Sequence, residues 1–238
     1  MLAAIFPSIE GSPEFDELVA NYPEVLKELF GLGEGGGITT GAGYLDVELF
    51  SFMLPLLVLV LAIGSGARTF AGEEDAGRLE LVLSYPILRS RAVLAKGVAV
   101  AVEVAVVSGV TGLAMALLDP VVGLDLSSRN LAEAIVSLAA LGLLFGWLAL
   151  ALGAAVPSRA LAIGIPAGIA AAAYLVNGLH GLAGWLDPFR FVSPFWLMGS
   201  SPLRNGVDWP GVLTVAVVAA LVLLAGAWLV ERRDLQTP

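Results

Sequence analysis

Long apolar stretches, separated by short polar segments, dominate the pattern of this chain. A membrane-spanning helix needs about 20 mostly apolar residues, because each residue advances the helix by about 1.5 Å. None of the stretches alternates with the period of two that barrel strands show. Five are long enough to span a membrane, and they comprise residues 48–67, 93–118, 133–157, 160–182 and 210–230. The pattern therefore predicts an all-α fold, a polytopic transmembrane helical bundle that forms one domain over residues 1–238.

The composition narrows the class of protein. The chain has 238 residues, of which 58% are hydrophobic and 14% charged, whereas soluble domains average about 45–50% apolar and about 25% charged residues. A formal net charge of −9 argues against a nucleic-acid partner, because such binding surfaces are basic. The sequence contains no cysteine, which excludes disulfides, thiolate metal sites and a cysteine nucleophile. Soluble enzymes, disordered chains and nucleic-acid-binding proteins are thereby excluded.

Lysine and arginine are distributed unequally between the two ends of the predicted spans. Cytoplasmic loops carry an excess of these residues. Eight of the twelve fall on the side that contains residues 72–91, so we expect that side to be cytoplasmic. The chain is then a multi-pass protein of the plasma membrane, in contact with the lipid bilayer. An outer segment, residues 1–47, and an outer gate segment, residues 183–209, lie on the other side.

The outer segment has no predicted span before it to carry it across the membrane. Its first apolar run, residues 1–6, is too short for a signal peptide. We therefore expect either that a first transmembrane helix is missing from the N-terminus or that the chain is a natural five-span variant. Ser12 followed by Pro13, and Pro23 farther on, are typical of helix starts. They predict short amphipathic helices on the outer surface.

Residues 72–91 join the first two spans and have the pattern of a short amphipathic helix. Acidic residues precede basic ones, which suits the helix dipole. Leu79, Val82 and Leu83 share one face of such a helix, and Pro86 ends or bends it. The pattern fits a helix that lies on the lipid surface and equally a helix that docks a cytoplasmic partner.

Four stretches resemble one known family. They are Ala71-Gly72-Glu73-Glu74 continued by Gly77-Arg78-Leu79-Glu80-Leu81 and Tyr85-Pro86; Ser193-Pro194-Phe195-Trp196; Glu231-Arg232-Arg233-Asp234-Leu235; and Tyr22-Pro23-Glu24. The first resembles the coupling helix of type 2 ABC-exporter permeases, and the others resemble that family's outer segment before the last span, its C-terminal end and its first outer loop. The resemblance covers nearly the whole chain in order. This chain departs from the family in two features. The family usually has six spans, whereas five are predicted here, and Arg78 stands where threonine is common.

The resemblance implies a permease subunit of an ABC exporter that forms the translocation path. Two permeases, a homodimer or a pair of different chains, would each hold a separate cytoplasmic ATPase subunit by the coupling helix. The chain lacks the GxxxxGK[ST] pattern of a phosphate-binding loop, so no cofactor is expected on it, and ATP and Mg²⁺ would bind the partner. The ATPase-docking residues implied are Glu73, Glu74, Gly77, Arg78, Leu79, Glu80, Leu83, Tyr85, Pro86 and Arg89.

Glu103 is an ionisable residue about ten residues inside the second span, roughly 15 Å deep. A carboxylate at that depth is costly unless it is protonated, paired or facing water. It is therefore a candidate for the translocation path, as a ligand for a cationic substrate or a coupling proton. The alternative is a packing group that bonds to Ser108 or Trp147.

His180, the only histidine, raises the question of catalysis. A serine–histidine pair with Ser65 is excluded by the predicted topology, because the two lie at opposite ends of their spans and proton transfer needs contact. We expect His180 to be structural and the chain to have no catalytic or metal site. The remaining alternative function is a non-transporting membrane scaffold or immunity-type protein. The substrate, and whether the pair is a homodimer or a heterodimer, stay open at this point.

Two glycine motifs predict close packing of helices. Gly142 and Gly146, and likewise Gly164 and Gly168, are four residues apart and share one helix face, which lets backbones approach closely. Pro55, inside the first span, predicts a bend or hinge.

Overall fold

The structure, a computed structural model, describes residues 21–23, 27, 41–75, 88–156, 158–199 and 201–232. These residues are helical or lie in turns and loops, and no β-strand occurs among them. The expected docking residues Gly77, Arg78, Leu79, Glu80, Leu83, Tyr85 and Pro86 lie outside the described residues, as do the helix start at Ser12 and nearly all of the outer segment up to residue 40.

Five helices in the described part of the chain are long and apolar enough to cross a membrane. They are α1 (Ala42–Thr69), α3 (Arg89–Val122), α4 (Ser128–Ala155), α5 (Arg159–Leu179) and α8 (Trp209–Leu229, continued by a 3-10 turn to Arg232). The shorter helices are α2 (Ala71–Asp75), a 3-10 helix (Asp187–Val192), α6 (Pro194–Leu197) and α7 (Pro202–Asn205). The predicted all-α polytopic fold with five spans is confirmed.

The first span contains a π-helical segment, Asp46–Met53, before its regular α-helical part. Within it the backbone N–H of Leu54 donates to the carbonyl of Leu49, five residues back. Pro55 follows directly, and a proline has no N–H to donate and crowds the carbonyl four residues before it. A wider π turn in front of the proline relieves that crowding. The irregularity expected at Pro55 therefore takes the form of a π segment, a feature frequent at functional sites.

The helices α3 and α4 are joined by a short connection. Gly123 has φ +71° and Asp125 has φ +52°, left-handed values that suit glycine and are tolerated by aspartate. The Asp119 carboxylate accepts a hydrogen bond from the N–H of Leu126 at 3.1 Å. The connection is thus fixed by its own backbone and by one acid of α3.

The chain divides into two compact units, and the long helices contribute residues to both. Among the described residues, the first unit comprises those up to residue 56 with 108–138 and 172–212, and its core contains Tyr44, Phe50, Met115, Leu131 and Leu203. The second comprises the described residues of 57–107, 139–171 and those after residue 212, and its cores contain Phe70, Val93, Val100, Leu150 and Leu223. Each core is built from several helices, as a bundle requires.

Gly142 and Gly146 pack as predicted. A Cβ atom on Gly142 would lie 2.6 Å from Val58 Cγ1, and one on Gly146 would lie 3.0 Å from Val100 Cγ1. The second motif makes no such contact in the part of the chain that the structure describes, where Cβ atoms on Gly164 and Gly168 would meet nothing within 4 Å. Spacing alone does not state which helix face has a neighbour.

Candidate coupling and translocation site

Lys96 anchors the beginning of the predicted coupling segment. Its Nζ forms an ion pair with Glu73 of α2 and donates to the carbonyl oxygen of Thr69 at 2.6 Å. The last carbonyls of a helix lack partners within the helix, and a nearby cation stabilises them. Lys96 therefore ties the end of α1 and the start of α2 to α3. Its side chain is 13% exposed and that of Glu73 is 29% exposed.

The helix α2 begins directly on the end of α1. The backbone N–H groups of Glu73 and Glu74 donate to the carbonyl of Phe70 at 3.1 and 3.0 Å, and the Phe70 side chain is fully buried. The start of α2 is thus held by a buried aromatic residue and by an ion pair, before the chain continues to residues outside the described part.

Three of the expected docking residues are described. Glu73 is engaged by Lys96, Glu74 is half-buried in α2, and Arg89 is the half-buried first residue of α3. Nothing in the sequence pattern separated Glu73 from Glu74, because the partner of Glu73 lies 23 residues away.

A second contact joins α3 to the end of α8. The Ser90 hydroxyl donates to the carboxylate of Glu231 at 2.5 Å, and the guanidinium of Arg232 lies 3.8 Å from the centre of the Trp228 ring. Glu231 and Arg232 belong to the C-terminal stretch that resembles the exporter family. The start of α3 and the end of α8 therefore both carry polar contacts outside the apolar spans.

Glu103 is paired with a hydroxyl of α1. The Ser65 Oγ donates to a carboxylate oxygen of Glu103, and the Thr69 hydroxyl donates to the carbonyl of Ser65. The expected partners were wrong. The indole N–H of Trp147 donates to the carbonyl of Gly97 at 2.9 Å, and the buried Ser108 Oγ has no hydrogen-bond partner among the described residues.

Ser65 lies on α1 and Glu103 on α3, and their side chains meet between these two helices within the second unit. Ser65 is buried and Glu103 is half-buried. A carboxylate with one hydroxyl donor keeps acceptor capacity for a further donor, so this position can bind a proton or a cationic group.

His180 and Asp187 approach each other at the end of α5. The His180 Nδ1 lies 3.5 Å from an Asp187 oxygen, to which Arg190 also donates at 2.8 Å. The Arg190 guanidinium lies 4.9 Å from the Phe191 ring centre and 5.3 Å from that of Trp196. The structure thus places His180 in a polar cluster of the outer gate segment, whereas Ser65 bonds to Glu103.

Asp46 is a buried acid of this region that the sequence pattern did not indicate. It is 2% exposed, and its carboxylate accepts hydrogen bonds from the N–H groups of Leu203 and Arg204 at 3.0 and 3.2 Å. These groups belong to the first turn of α7, where backbone donors have few partners within the helix. The Arg204 N–H also donates to the carbonyl of Ser201 at 3.1 Å. Pro202 at the start of α7 was the available signal, although it did not indicate which acid would cap the helix.

Two residues of α4 hold the same part of the outer gate segment. The Asn130 amide donates to the carbonyls of Leu203 and Arg204 at 2.9 and 3.0 Å. The Glu133 carboxylate accepts from the N–H of Val207 at 3.3 Å. Together with Asp46 they fasten residues 203–207 to α1 and α4 through backbone groups.

A family model described as "Multidrug efflux system permease Rv1217c, C-terminal domain" matches residues 11–230. The chain belongs to this family. It is a multi-pass permease of the plasma membrane with a role in transport, and the resemblance to exporter permeases is confirmed. The family favours a transporter over an enzyme and over the non-transporting scaffold or immunity-type alternative. No curated protein sequence gives a significant match.

Proposed function

We propose that this permease is the membrane-spanning subunit of an ABC exporter and that it is driven by ATP hydrolysis in a separate cytoplasmic ATPase subunit. Residues 72–91 form the docking element, and ATP and Mg²⁺ bind the partner. The family assignment and the resemblance of the segment to a coupling helix support this function.

The observation that carries the proposal is the attachment of this segment to the spans. A docking element passes on the movement of a partner only when it is held firmly to the helices that must move. Lys96 binds both the end of α1 and Glu73 of α2, and Phe70 holds the first turn of α2. A push on the segment therefore acts on α1 and α3 together. In this proposal Glu73 positions the segment, while Glu74 and the residues that follow contact the ATPase.

We further propose that the working unit contains two permeases. The helix α5 exposes Gly164 and Gly168 on a face that meets nothing within the described chain. Small residues spaced by four let two helices approach closely in a membrane. The same face of a second permease, in a homodimer or in a related chain, would complete the packing.

The Glu103–Ser65 pair is our candidate for a position on the translocation path. It combines a half-buried carboxylate with a buried hydroxyl between two spans. Ionisable groups within spans usually face a cavity or the bundle interior.

The docking proposal is tested by co-purification of the ATPase with tagged permease. Substitution of Leu79 or Leu83 by aspartate places a charge on the apolar face of the docking segment and should release the ATPase. Ser127→Asp is the matched control, because it adds the same charge in the α3–α4 connection, where aspartate also caps a helix start.

A further inference from the structure

A groove lies between α3 and α4 within the first unit. Its volume is about 440 Å³, within the range of about 300–1,000 Å³ for pockets that bind drug-sized molecules. On α3 it is lined by Gly109, Gly112, Ala116 and Asp119. Their spacing of three or four residues places them on one helix face. From Gly109 to Asp119 the groove extends about 15 Å along the helix.

Small residues create the groove. A Cβ atom on Gly109 would meet nothing within 4 Å among the described residues, whereas one on Gly112 would lie 2.8 Å from Ile135 Cγ1. The two helices are therefore close at Gly112 and leave open space at Gly109. Leu131 and Ile135 of α4 form the apolar wall opposite. The length and lining suit a single extended apolar chain.

The groove has one charged end. The Asp119 carboxylate accepts the N–H of Leu126 and forms no ion pair with a lysine or arginine among the described residues. The nearest arginine in sequence, Arg129, is bonded to Glu133 at 2.8 Å. An anionic charge without a paired cation attracts a positively charged group.

Charge also supplies the selectivity that apolar walls lack. Lipid tails are as apolar as leucine, so an alkyl chain alone gains little by leaving the bilayer for this groove. A cationic head at Asp119 adds an attraction that a neutral or anionic molecule does not have.

We propose that this groove binds an amphipathic monovalent cation, with its apolar chain along α3 and its head at Asp119. The proposal concerns the permease alone and does not depend on the ATPase. A failure of the test below would therefore leave the docking proposal intact, and the reverse also holds.

The test uses purified permease in phosphatidylcholine nanodiscs and two photoreactive probes. One is dodecyltrimethylammonium with a diazirine in its chain, and the other carries a sulfate head on the same chain. We expect the cation to label residues 109–119 and 131–135 about fivefold more than the anion, the ratio that one weak ion pair provides. Asp119→Asn should bring the two probes to equal labelling.

Two variants test the groove itself. Gly109→Leu fills the open space and should lower labelling by the cation about tenfold, since the chain has no room. Ala216→Leu is the matched control, because Ala216 is exposed but lies on α8, away from the groove. If Gly109→Leu is not monodisperse and helical, Ala116→Leu replaces it. Equal labelling by cation and anion in the wild type, or labelling of the filled variant equal to the control, would overturn the proposal and indicate that bilayer lipid fills the groove.

Discussion

Lys96 is a charged residue whose position near the end of a span has a definite consequence. Its ammonium group serves a carboxylate and a helix-end carbonyl at once. The sequence indicates only that Lys96 is one of the eight basic residues on the expected cytoplasmic side. In the structure it holds α2 in place, which makes it the residue through which the proposed coupling segment is attached.

We predict that Lys96→Met destabilises the permease by about 1–2 kcal/mol, because the half-buried Glu73 loses its cation and the Thr69 carbonyl loses a donor. Thermal unfolding in detergent measures the effect. The exchanged pair Lys96→Glu with Glu73→Lys should recover part of the stability. An unchanged unfolding temperature in Lys96→Met would show that the pair contributes nothing.

The negative charge of Glu103 can be removed without removing its hydrogen bond. Glu103→Gln keeps an oxygen that accepts the Ser65 hydroxyl but removes the negative charge. We expect the variant to fold with unchanged stability and to lose at least about tenfold in transport of cationic substrates, which one lost charge interaction is enough to explain. Ser65→Ala, which leaves the charge, is the control and should transport. Transport by Glu103→Gln at the wild-type rate would remove Glu103 from the path.

At the scale of elements, the outer gate segment is fastened by polar side chains rather than by apolar packing alone. Asp46 approaches it from the π segment of α1, and Asn130 and Glu133 approach it from α4. Such contacts to backbone groups fix the position of a short helix whose own hydrogen bonds are few.

Asp46→Asn should loosen this attachment. Asparagine keeps one acceptor oxygen, so it can accept from only one of the N–H groups of Leu203 and Arg204. It also loses the negative charge that lies 3.5 Å from the Arg204 Nε, and we expect a cost of about 1–3 kcal/mol. Hydrogen exchange at those two amides should become about 5- to 100-fold faster. Asp125→Asn, an exposed acid whose left-handed backbone asparagine tolerates, is the control. Equal exchange in both variants would contradict the assigned role.

The exposed face of α5 is the proposed contact between two permeases, and a cysteine placed on it can test that contact. Because the chain has no cysteine, Gly164→Cys introduces the single thiol of each copy. We expect oxidation in membranes to link two permeases through this residue. Val217→Cys, on an exposed position of α8, should not cross-link. Cross-linking of Val217→Cys alone, or of neither variant, would exclude this face as the contact.

At the scale of the whole molecule, the five spans were predictable because a long apolar stretch in a membrane protein admits only a helix. The contacts of the candidate site were not, since Lys96 with Glu73, Ser65 with Glu103 and Asp46 with Leu203 join residues 23 to 157 positions apart. Asp46 lies just before the predicted first span, and no pattern in the sequence singled it out. Its burial follows from a π segment and a short helix whose pairing no local pattern encodes.

The glycine motifs show the same limit of local patterns. Gly142 and Gly164 stand in identical spacing, yet a Cβ atom would clash at the first and meet open space at the second. Periodicity places residues on a face, while the neighbour of that face is decided by the bundle or by a partner chain.

Retention of the ATPase by the permease tests the central claim most directly. Tagged wild-type permease, Leu83→Asp and the control Ser127→Asp are purified from cells that also produce the ATPase, and the ATPase held per permease is measured. The account predicts equal retention by the wild type and the control, and loss from Leu83→Asp while that variant stays monodisperse and helical. Undiminished retention by Leu83→Asp, or no ATPase on the wild type, would contradict it.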